Sequence, residues 1–232
     1  MNLKLNLNVA FKGCLALLLL LQFQVINSQN NNGSTPTEIM LSIGGDPTSE
    51  YTVTWRTKEG VTKTVAQIAE TTAIPKFEDV IKEIEGSYSE NYGDSGDRIS
   101  HEVRFTNLKP NTQYSYRVGN GKVWSEWFHF TTAKKVDDKF SFIYLGDFQN
   151  DIKSLGSRAI RQAYTHLGKD ASFMLFAGDL VSNSTDDYWN EFFYAGSWIL
   201  GTLPSVPTAG NHEYSKVAGS NERVFSKHWG NI

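Results

Sequence analysis

The sequence predicts a multidomain chain in which an N-terminal all-β sandwich precedes an incomplete α/β domain of βαβαβ order. Two observations support this division. Between residues 37 and 134, apolar residues recur with a period of two in short segments separated by turn residues, as the strands of a sandwich require. In residues 135–232, continuous apolar runs alternate with amphipathic stretches, which is typical of parallel strands joined by helices.

Residues 1–28 have the features of a secretory signal peptide. Lys4 and Lys12 precede a leucine-rich run at residues 15–21, and Ser28 is a small residue at the end of the predicted signal peptide. Because the run is short for a membrane span, we expect cleavage near Ser28. The chain is then secreted, extracellular or periplasmic and keeps no stable membrane anchor, with an uncleaved anchor as the alternative. Residues 29–36 are polar and are interpreted as a linker.

Charge and cysteine content exclude some classes of protein. The formal net charge is −3, and a nucleic-acid-binding surface needs clustered Lys and Arg, so we predict no nucleic-acid partner. Cys14 is the only cysteine and lies within the predicted signal peptide. The processed chain is therefore expected to contain no disulfide. The sequence leaves the oligomeric state open.

Alternating segments predict the strands of the sandwich, and they lie at residues 39–43, 51–55, 65–69, 103–105, 114–118 and 127–130. Trp55 is expected to fill the core between the two sheets. Trp124 and Trp127 are expected mainly to pack, and the sequence does not show which of them is exposed. Residues 76–85 are charged, and their pattern is ambiguous between helix and strand.

The α/β part is predicted as three strands and two helices. Residues 140–145 are almost continuously apolar, which predicts a strand buried on both faces. A helix is expected over residues 152–167, with Leu155 and Ile160 on its buried side, and a second over residues 187–200. The other strands are residues 173–177 and 206–209, and Pro207 predicts that the last strand is short or at an edge.

Each predicted α/β strand is followed by glycine and a polar residue. The first ends in Gly146-Asp147, the second in Gly178-Asp179 and the third in Gly210-Asn211-His212-Glu213. Ligand sites of open parallel sheets lie beyond the carboxyl ends of the strands, so these side chains are expected in one crevice. Carboxylate, amide and imidazole groups together suit Zn, Mn or Fe.

This order of motifs resembles the calcineurin-like metallophosphoesterases. Residues 108–114, with Pro110 and Tyr114, are similar to the tyrosine corner of fibronectin type III domains. A fibronectin type III-like sandwich upstream of these motifs points to the purple acid phosphatase branch. After the signal peptide at 1–28 and the linker at 29–36, the resemblance implies the purple acid phosphatase N-terminal domain at 37–134 and the N-terminal half of a metallophosphoesterase domain at 135–232.

The resemblance implies a role for each residue of the motifs. Asp147 is expected to bind one of two divalent or trivalent metal ions, Asp179 to bridge both, and Asn211 to bind the second. His212 is expected beside the substrate phosphate as a catalytic residue, with Glu213 as the acidic partner that orients it. The family uses a hydroxide held by the two metal ions to attack a phosphomonoester. The resemblance therefore implies an acid phosphatase-like hydrolase and a phosphate ester substrate.

Three departures from the family pattern qualify that expectation. Ser182 stands where purple acid phosphatases have the tyrosine that ligates iron, so we expect no purple absorption band. Gln149 stands where the first motif commonly has Gly or His, and it is expected either to offer an amide oxygen or to hydrogen-bond a ligand. None of the five histidines lies in the Gly-His-x-His motif that the family uses. We therefore expect a truncated product or partial sequence with little phosphatase activity.

Two other classes of function were weighed against the hydrolase. In the first, the sandwich acts as a secreted binding or adhesion module and the second domain is a pseudoenzyme. In the second, a serine acts as nucleophile, but no Gly-x-Ser-x-Gly motif is present. Asn32-Gly33-Ser34 and Asn183-Ser184-Thr185 match the N-glycosylation pattern, which has consequences only in a eukaryotic secretory pathway.

Overall fold

The computed structural model describes residues 33–74, 76–93, 96–135, 139–216 and 223–225. The predicted signal peptide, most of the predicted linker, Asn32 and His228 lie outside the described residues. Within the described ranges, no helix is both long enough and apolar enough to cross a bilayer.

The described strands form two large sheets and a short hairpin. In chain order the strands are β1 (Thr37–Ile43), β2 (Tyr51–Lys58), β3 (Val65–Glu70), β4 (Lys82–Glu85), β5 (Ser87–Gly93), β6 (Gly96–Phe105), β7 (Gln113–Gly119), β8 (Phe128–Thr131), β9 (Ser141–Leu145), β10 (Ala171–Phe176), β11 (Ser205–Pro207), β12 (Tyr214–Lys216) and β13 (Arg223–Phe225). The large sheet has the order β5-β6-β2-β1-β11-β10-β9, and the smaller sheet has the order β4-β3-β7-β8. Strands β12 and β13 form the hairpin.

Helices occur in the C-terminal part of the described chain. They are α1 (Ser157–Leu167), α2 (Asp186–Gly196) and α3 (Trp198–Thr202), with a π-helical turn at Ile152–Gly156 and 3-10 turns at Phe77–Val80, Gly168–Asp170 and Asn211–Glu213. The first 3-10 turn is followed directly by β4. The ambiguous segment at residues 76–85 therefore contains both a helical turn and a strand.

The sandwich prediction is confirmed. Strands β1, β2 and β6 face the smaller sheet across a core dominated by aromatic residues. Trp55 is 1% exposed and belongs to this core. The hydroxyl of Tyr114 accepts a hydrogen bond from the backbone N–H of Lys109 at 2.9 Å, which is the contact that defines a tyrosine corner. Trp124 and Trp127 are both half-buried, and the Arg117 guanidinium lies 4.7 Å from each ring.

The parallel α/β arrangement is confirmed as well. Strand β10 pairs in parallel with both β9 and β11, and helices connect them in the predicted order. The second predicted helix is divided, because Ser197 adopts a left-handed φ of 47° between α2 and α3. The sandwich and the parallel strands belong to one continuous large sheet, because β1 pairs with β11. The boundary at residues 134 and 135 stays a prediction.

The prediction that residues 140–145 form a strand buried on both faces is wrong. Strand β9 is the last strand of the large sheet among the described residues. Ile143 is buried on the face that the helices cover, whereas Phe142 and Tyr144 are 41% and 64% exposed on the other face. Apolar composition alone does not show whether a second layer covers each face.

One smaller prediction needs correction, and another is confirmed. Leu155 is exposed rather than buried, because the π-helical turn places Ile152 and Gly156 on the buried side. Pro207 ends a strand of three residues, as the first of its two predicted placements requires, and β11 lies between β1 and β10. The pairing of β1 with β11 is through Ser205, so the missing N–H of Pro207 lies beyond that ladder and costs no hydrogen bond there.

Strand β1 joins the two parts of the molecule. Its adjacent residues Met40 and Leu41 are both fully buried, and they point to opposite faces of the sheet. Met40 belongs to the core beneath the helices, and Leu41 belongs to the core of the sandwich. The Tyr116 hydroxyl adds a second connection by donating a 2.6 Å hydrogen bond to the carbonyl oxygen of Gly201 in α3.

A buried network of charges forms a third connection. Glu38 in β1 lies 3.1 Å from Arg56 and 2.6 Å from Arg98. Arg98 in turn lies 3.7 Å from Asp186, the first residue of α2. The side chains of Glu38 and Asp186 are 4% and 2% exposed. Burial lowers the pKa of Arg56, and the opposing effect of Glu38 helps to keep the guanidinium charged.

Candidate metal centre

The candidate site is built by the loops that follow β9, β10 and β11. These strands are parallel neighbours, so their carboxyl ends meet at one edge of the sheet. Asp147 follows β9, Asp179 follows β10, and the 3-10 turn Asn211–Glu213 follows β11. The topology therefore brings the sequence-predicted residues to one edge, as the motif spacing predicts.

Hydrogen bonds connect the three loops directly. The backbone N–H of Asp147 donates to the carbonyl oxygen of Gly178 at 3.0 Å. The Asp179 carboxylate accepts a 3.0 Å hydrogen bond from the backbone N–H of His212 through Oδ1. The first loop is thus held to the second, and the second to the third.

The backbone conformation at both aspartates is unusual. Asp147 and Asp179 adopt left-handed φ angles of 58° and 51°, which non-glycine residues rarely adopt and which concentrate at functional sites. The neighbouring glycines permit close approach of the loops. A Cβ atom on Gly178 would lie 2.6 Å from the backbone nitrogen of Gly210, so any side chain at this position would separate the second and third loops.

Glu213 anchors the second and third loops through their backbone. Its side chain is completely buried, and its carboxylate accepts hydrogen bonds from the N–H groups of Gly210 at 2.6 Å and of three consecutive residues in the second loop. Those three contacts are Asp179 at 2.9 Å, Leu180 at 2.7 Å and Val181 at 3.4 Å. The expected role of Glu213, orientation of the His212 ring, is not what these contacts provide. Glu213 fixes the positions of the loops that carry Asp179 and Asn211.

The His212 ring is oriented by a different group. Its Nδ1 lies 2.6 Å from the carbonyl oxygen of Ser182. Because a carbonyl oxygen only accepts hydrogen bonds, Nδ1 carries a proton and donates it. Nε2 is then the nitrogen that accepts a proton in the neutral ring and gives one up in the charged ring. His212 is half-buried.

Comparison with known proteins identifies the sandwich. A family model of the purple acid phosphatase N-terminal domain matches residues 36–132. The sandwich is thus similar to the N-terminal domain of purple acid phosphatases. Acid phosphatase type 7 of Danio rerio is 31% identical to it over 119 residues, which are 50% of this chain and 26% of that protein.

Solved structures share the fold of this chain. Purple acid phosphatase PPD1 from yellow lupin (Lupinus luteus) seeds matches with a TM-score of 0.60 and 18% identity, covering 81% of this chain and 37% of its own. PhoD matches with a TM-score of 0.52 and 13% identity, covering 78% and 40%. The chain spans about a quarter of the length of the curated relative and about two fifths of these two structures. The structural matches therefore establish the fold alone.

Gln149 hydrogen-bonds a predicted ligand. Its Nε2 donates to Oδ1 of Asp147 at 2.7 Å. The sequence leaves two roles open for Gln149, and in the structure its side chain makes a hydrogen bond to a predicted ligand. The contact restrains the Asp147 side chain, which is otherwise exposed, and leaves its second carboxylate oxygen for another partner.

The donors at this edge fit part of a metal site. Asp147, Asp179 and Asn211 supply two carboxylates and one amide oxygen, which are ligands for hard and intermediate divalent cations. Within the described ranges, no group of three or more His, Cys, Asp or Glu residues is arranged to hold a metal ion. Zinc and iron sites commonly include several nitrogen donors, and the described part of this edge contributes one imidazole, that of His212.

A separate cleft of about 870 Å³ lies at the opposite edge of the parallel strands. Ser141, Ala171 and Pro204 line it where β9, β10 and β11 begin, and Tyr51 and Phe130 border it from the sandwich. Asp147, Asp179, Asn211 and His212 are not among its lining residues. The cleft is therefore separate from the predicted metal ligands, which lie at the other edge.

Proposed function

We propose that the chain carries part of the active site of a secreted, metal-dependent phosphoric ester hydrolase that acts on phosphomonoesters. Asp147, Asp179 and Asn211 are its metal ligands, and His212 is its catalytic proton donor. The observation that carries this proposal is the hydrogen bonding that holds the three strand-end loops together at one edge. The family match of the sandwich supports the same assignment.

Metal ions bound at this edge would supply Lewis acidity for a phosphoryl oxygen and would lower the pKa of bound water. The chain's own residues do the positioning. Glu213 holds the second and third loops at a fixed separation through four backbone amides. The Ser182 carbonyl holds the Nδ1 proton of His212, so Nε2 is the atom that delivers a proton to the leaving-group oxygen.

The metal pair is expected from Fe, Zn and Mn, and Ser182 bears on the choice. Its carbonyl oxygen is used by His212, and its side chain offers no phenolate. We therefore expect no tyrosinate-to-iron absorption band in metal-loaded protein. We also expect the 232-residue chain to turn over p-nitrophenyl phosphate slowly or not at all with added Mn²⁺ or Zn²⁺, because none of its five histidines lies in the Gly-His-x-His motif that the family uses. Efficient turnover that a chelator abolishes would contradict this expectation.

Metal binding tests the proposal directly. We expect the purified chain to bind Mn²⁺ in a calorimetric or paramagnetic-resonance titration, and D147N and D179N to weaken that binding at least about tenfold, because each removes a charged ligand. The matched control is D187N, in which the same change is made at an exposed residue of α2. Equal weakening in D187N, or unchanged affinity in D179N, would show that Mn²⁺ binds elsewhere.

A further inference from the structure

The loop between β10 and α2 contains Asn183-Ser184-Thr185, an acceptor pattern for N-linked glycosylation. The hydrolase proposal gives these residues no role. Three-residue patterns of this kind are frequent, so the deciding question is whether the structure presents the asparagine to an enzyme.

The structure presents Asn183 on the surface of an ordered loop. Asn183 is exposed, and among the described residues no hydrogen bond engages its side-chain amide. Its own carbonyl oxygen accepts the N–H of Thr185 at 2.9 Å. Ser184 is held on the other side, where its hydroxyl accepts a 3.0 Å hydrogen bond from the buried Trp189 indole. The loop is therefore fixed at residues 184 and 185, while residue 183 projects from it.

We propose that Asn183 carries an N-linked glycan. The side-chain amide nitrogen of Asn183 loses one hydrogen and forms a bond to the anomeric carbon of an oligosaccharide. The bond that breaks joins that carbon to the diphosphate of a lipid carrier, and the carrier diphosphate leaves with the electron pair while the proton is released. The reaction requires entry into the secretory pathway, which residues 1–28 predict.

This modification site lies at the rim of the candidate metal centre. Asn183 directly follows Ser182, whose carbonyl oxygen accepts the proton on Nδ1 of His212. Asp179 is four residues earlier in the same loop. A glycan is bulky and hydrophilic, so at this position it restricts the approach of large molecules to the loop that holds His212.

Site-resolved mass spectrometry of the chain, secreted from a eukaryotic host with its own N-terminus, tests the proposal. We expect a hexosamine-containing peptide that includes Asn183, and a glycosidase that cleaves N-linked glycans should convert that residue to aspartate. N183Q and T185A are expected to lose the glycan. T185S is the matched control, because it changes the same residue but keeps the acceptor pattern, and it is expected to retain most of the glycan.

Two results would overturn the proposal. One is an unmodified Asn183 in the wild-type chain, whether or not Asn32 is modified. The other is equal glycan occupancy at Asn183 in T185A and T185S. If N183Q is not secreted, the comparison of T185A with T185S decides alone. The D179N variant separates this proposal from the hydrolase proposal, because it should lose Mn²⁺ affinity and keep its glycan. Loss of the glycan in D179N would show that occupancy depends on the metal site rather than on exposure of Asn183.

Discussion

One face of the large sheet is covered at one end and bare at the other. At β1 and β2 this face carries Leu41 and Val53, which are completely buried beneath the smaller sheet. At β9 the same face carries Phe142 and Tyr144, which are 41% and 64% exposed, and the strand registers through β11 and β10 establish that it is the same face. The opposite face is covered by helices at both β1 and β9.

Among the described residues, the two parts of the chain therefore differ in how completely other layers of structure cover the large sheet. The sandwich has two layers over its core, as an independently stable domain requires. The parallel strands have a helical layer on one side and an exposed aromatic cluster on the other, where Phe142 and Phe173 stack with centroids 5.1 Å apart. Burial, rather than residue type, should therefore decide how much each aromatic side chain stabilises the fold.

The same substitution at the two ends should have very different effects. Phe130 is 3% exposed and contacts Tyr51, Tyr114 and Tyr116 in the sandwich core, so F130A should lower the free energy of unfolding by about 3–5 kcal/mol. Phe140 is 66% exposed, so F140A should change it by less than about 1 kcal/mol. Denaturant unfolding of both variants measures the difference. A loss in F140A as large as that in F130A would mean that the aromatic cluster is covered in solution.

Charged pairs allow the same comparison between the buried connection and the surface. E38Q removes the negative charge that pairs with Arg56 and Arg98 where the sandwich meets α2. We expect it to lower the free energy of unfolding by about 3 kcal/mol, because a buried charge loses its partner. E50Q breaks a pair of the same kind with Arg104, whose side chain is 53% exposed, and should cost less than about 1 kcal/mol. Equal losses in chemical denaturation would mean that solvent reaches the Glu38 network.

The sequence predicted the strands and the motif loops because their signals are local. Alternation gave the sandwich strands, and Pro110 with Tyr114 gave the tyrosine corner that the Lys109 contact confirms. The exposure of Phe142 and Tyr144 was not predictable, because it depends on which layers lie over β9. The pairing of β1 with β11 joins residues far apart in the sequence, and no local pattern indicates it.

The candidate site was predictable in composition but not in its internal contacts. The sequence showed glycine before each predicted ligand, and the structure gives one reason for it, since a Cβ on Gly178 would meet the backbone of Gly210. The role of Glu213 could not be read from its position beside His212. A carboxylate can face a ring or a set of backbone amides, and only the fold of the second loop decides between them.

Acid should weaken the sandwich through His101. This ring is completely buried against Trp55, with Thr57 and Thr64 on its two nitrogens, and burial lowers its pKa from 6.5 to about 4. The unfolded chain therefore binds more protons than the folded chain between these values, so stability falls as the pH drops through this window. We expect a loss of about 2 kcal/mol from this residue between pH 7 and pH 5.

The His101 contribution is measured as a change in the slope of stability against pH. H101Q should remove about 2 kcal/mol of the dependence between pH 7 and pH 5, whatever its stability at neutral pH. H166Q is the control, because His166 is exposed on α1 and its replacement should leave the slope unchanged. An unchanged slope in H101Q would mean that the buried ring does not titrate differently in the folded chain.

The smallest expected effect tests the connection between the two parts. Tyr116 and Tyr114 lie on the same face of β7, and the Tyr116 hydroxyl donates to the Gly201 carbonyl in α3, whereas the Tyr114 hydroxyl accepts from Lys109 within the sandwich. Y116F and Y114F should each lower the free energy of unfolding by about 1–2 kcal/mol, because each leaves a backbone group without its partner.

Hydrogen exchange distinguishes the two variants. Y116F should increase exchange in α3 and leave the residues around Lys109 unchanged, and Y114F should do the reverse. Increased exchange throughout the sandwich in Y116F would instead mean that α3 and the sandwich unfold as one cooperative unit.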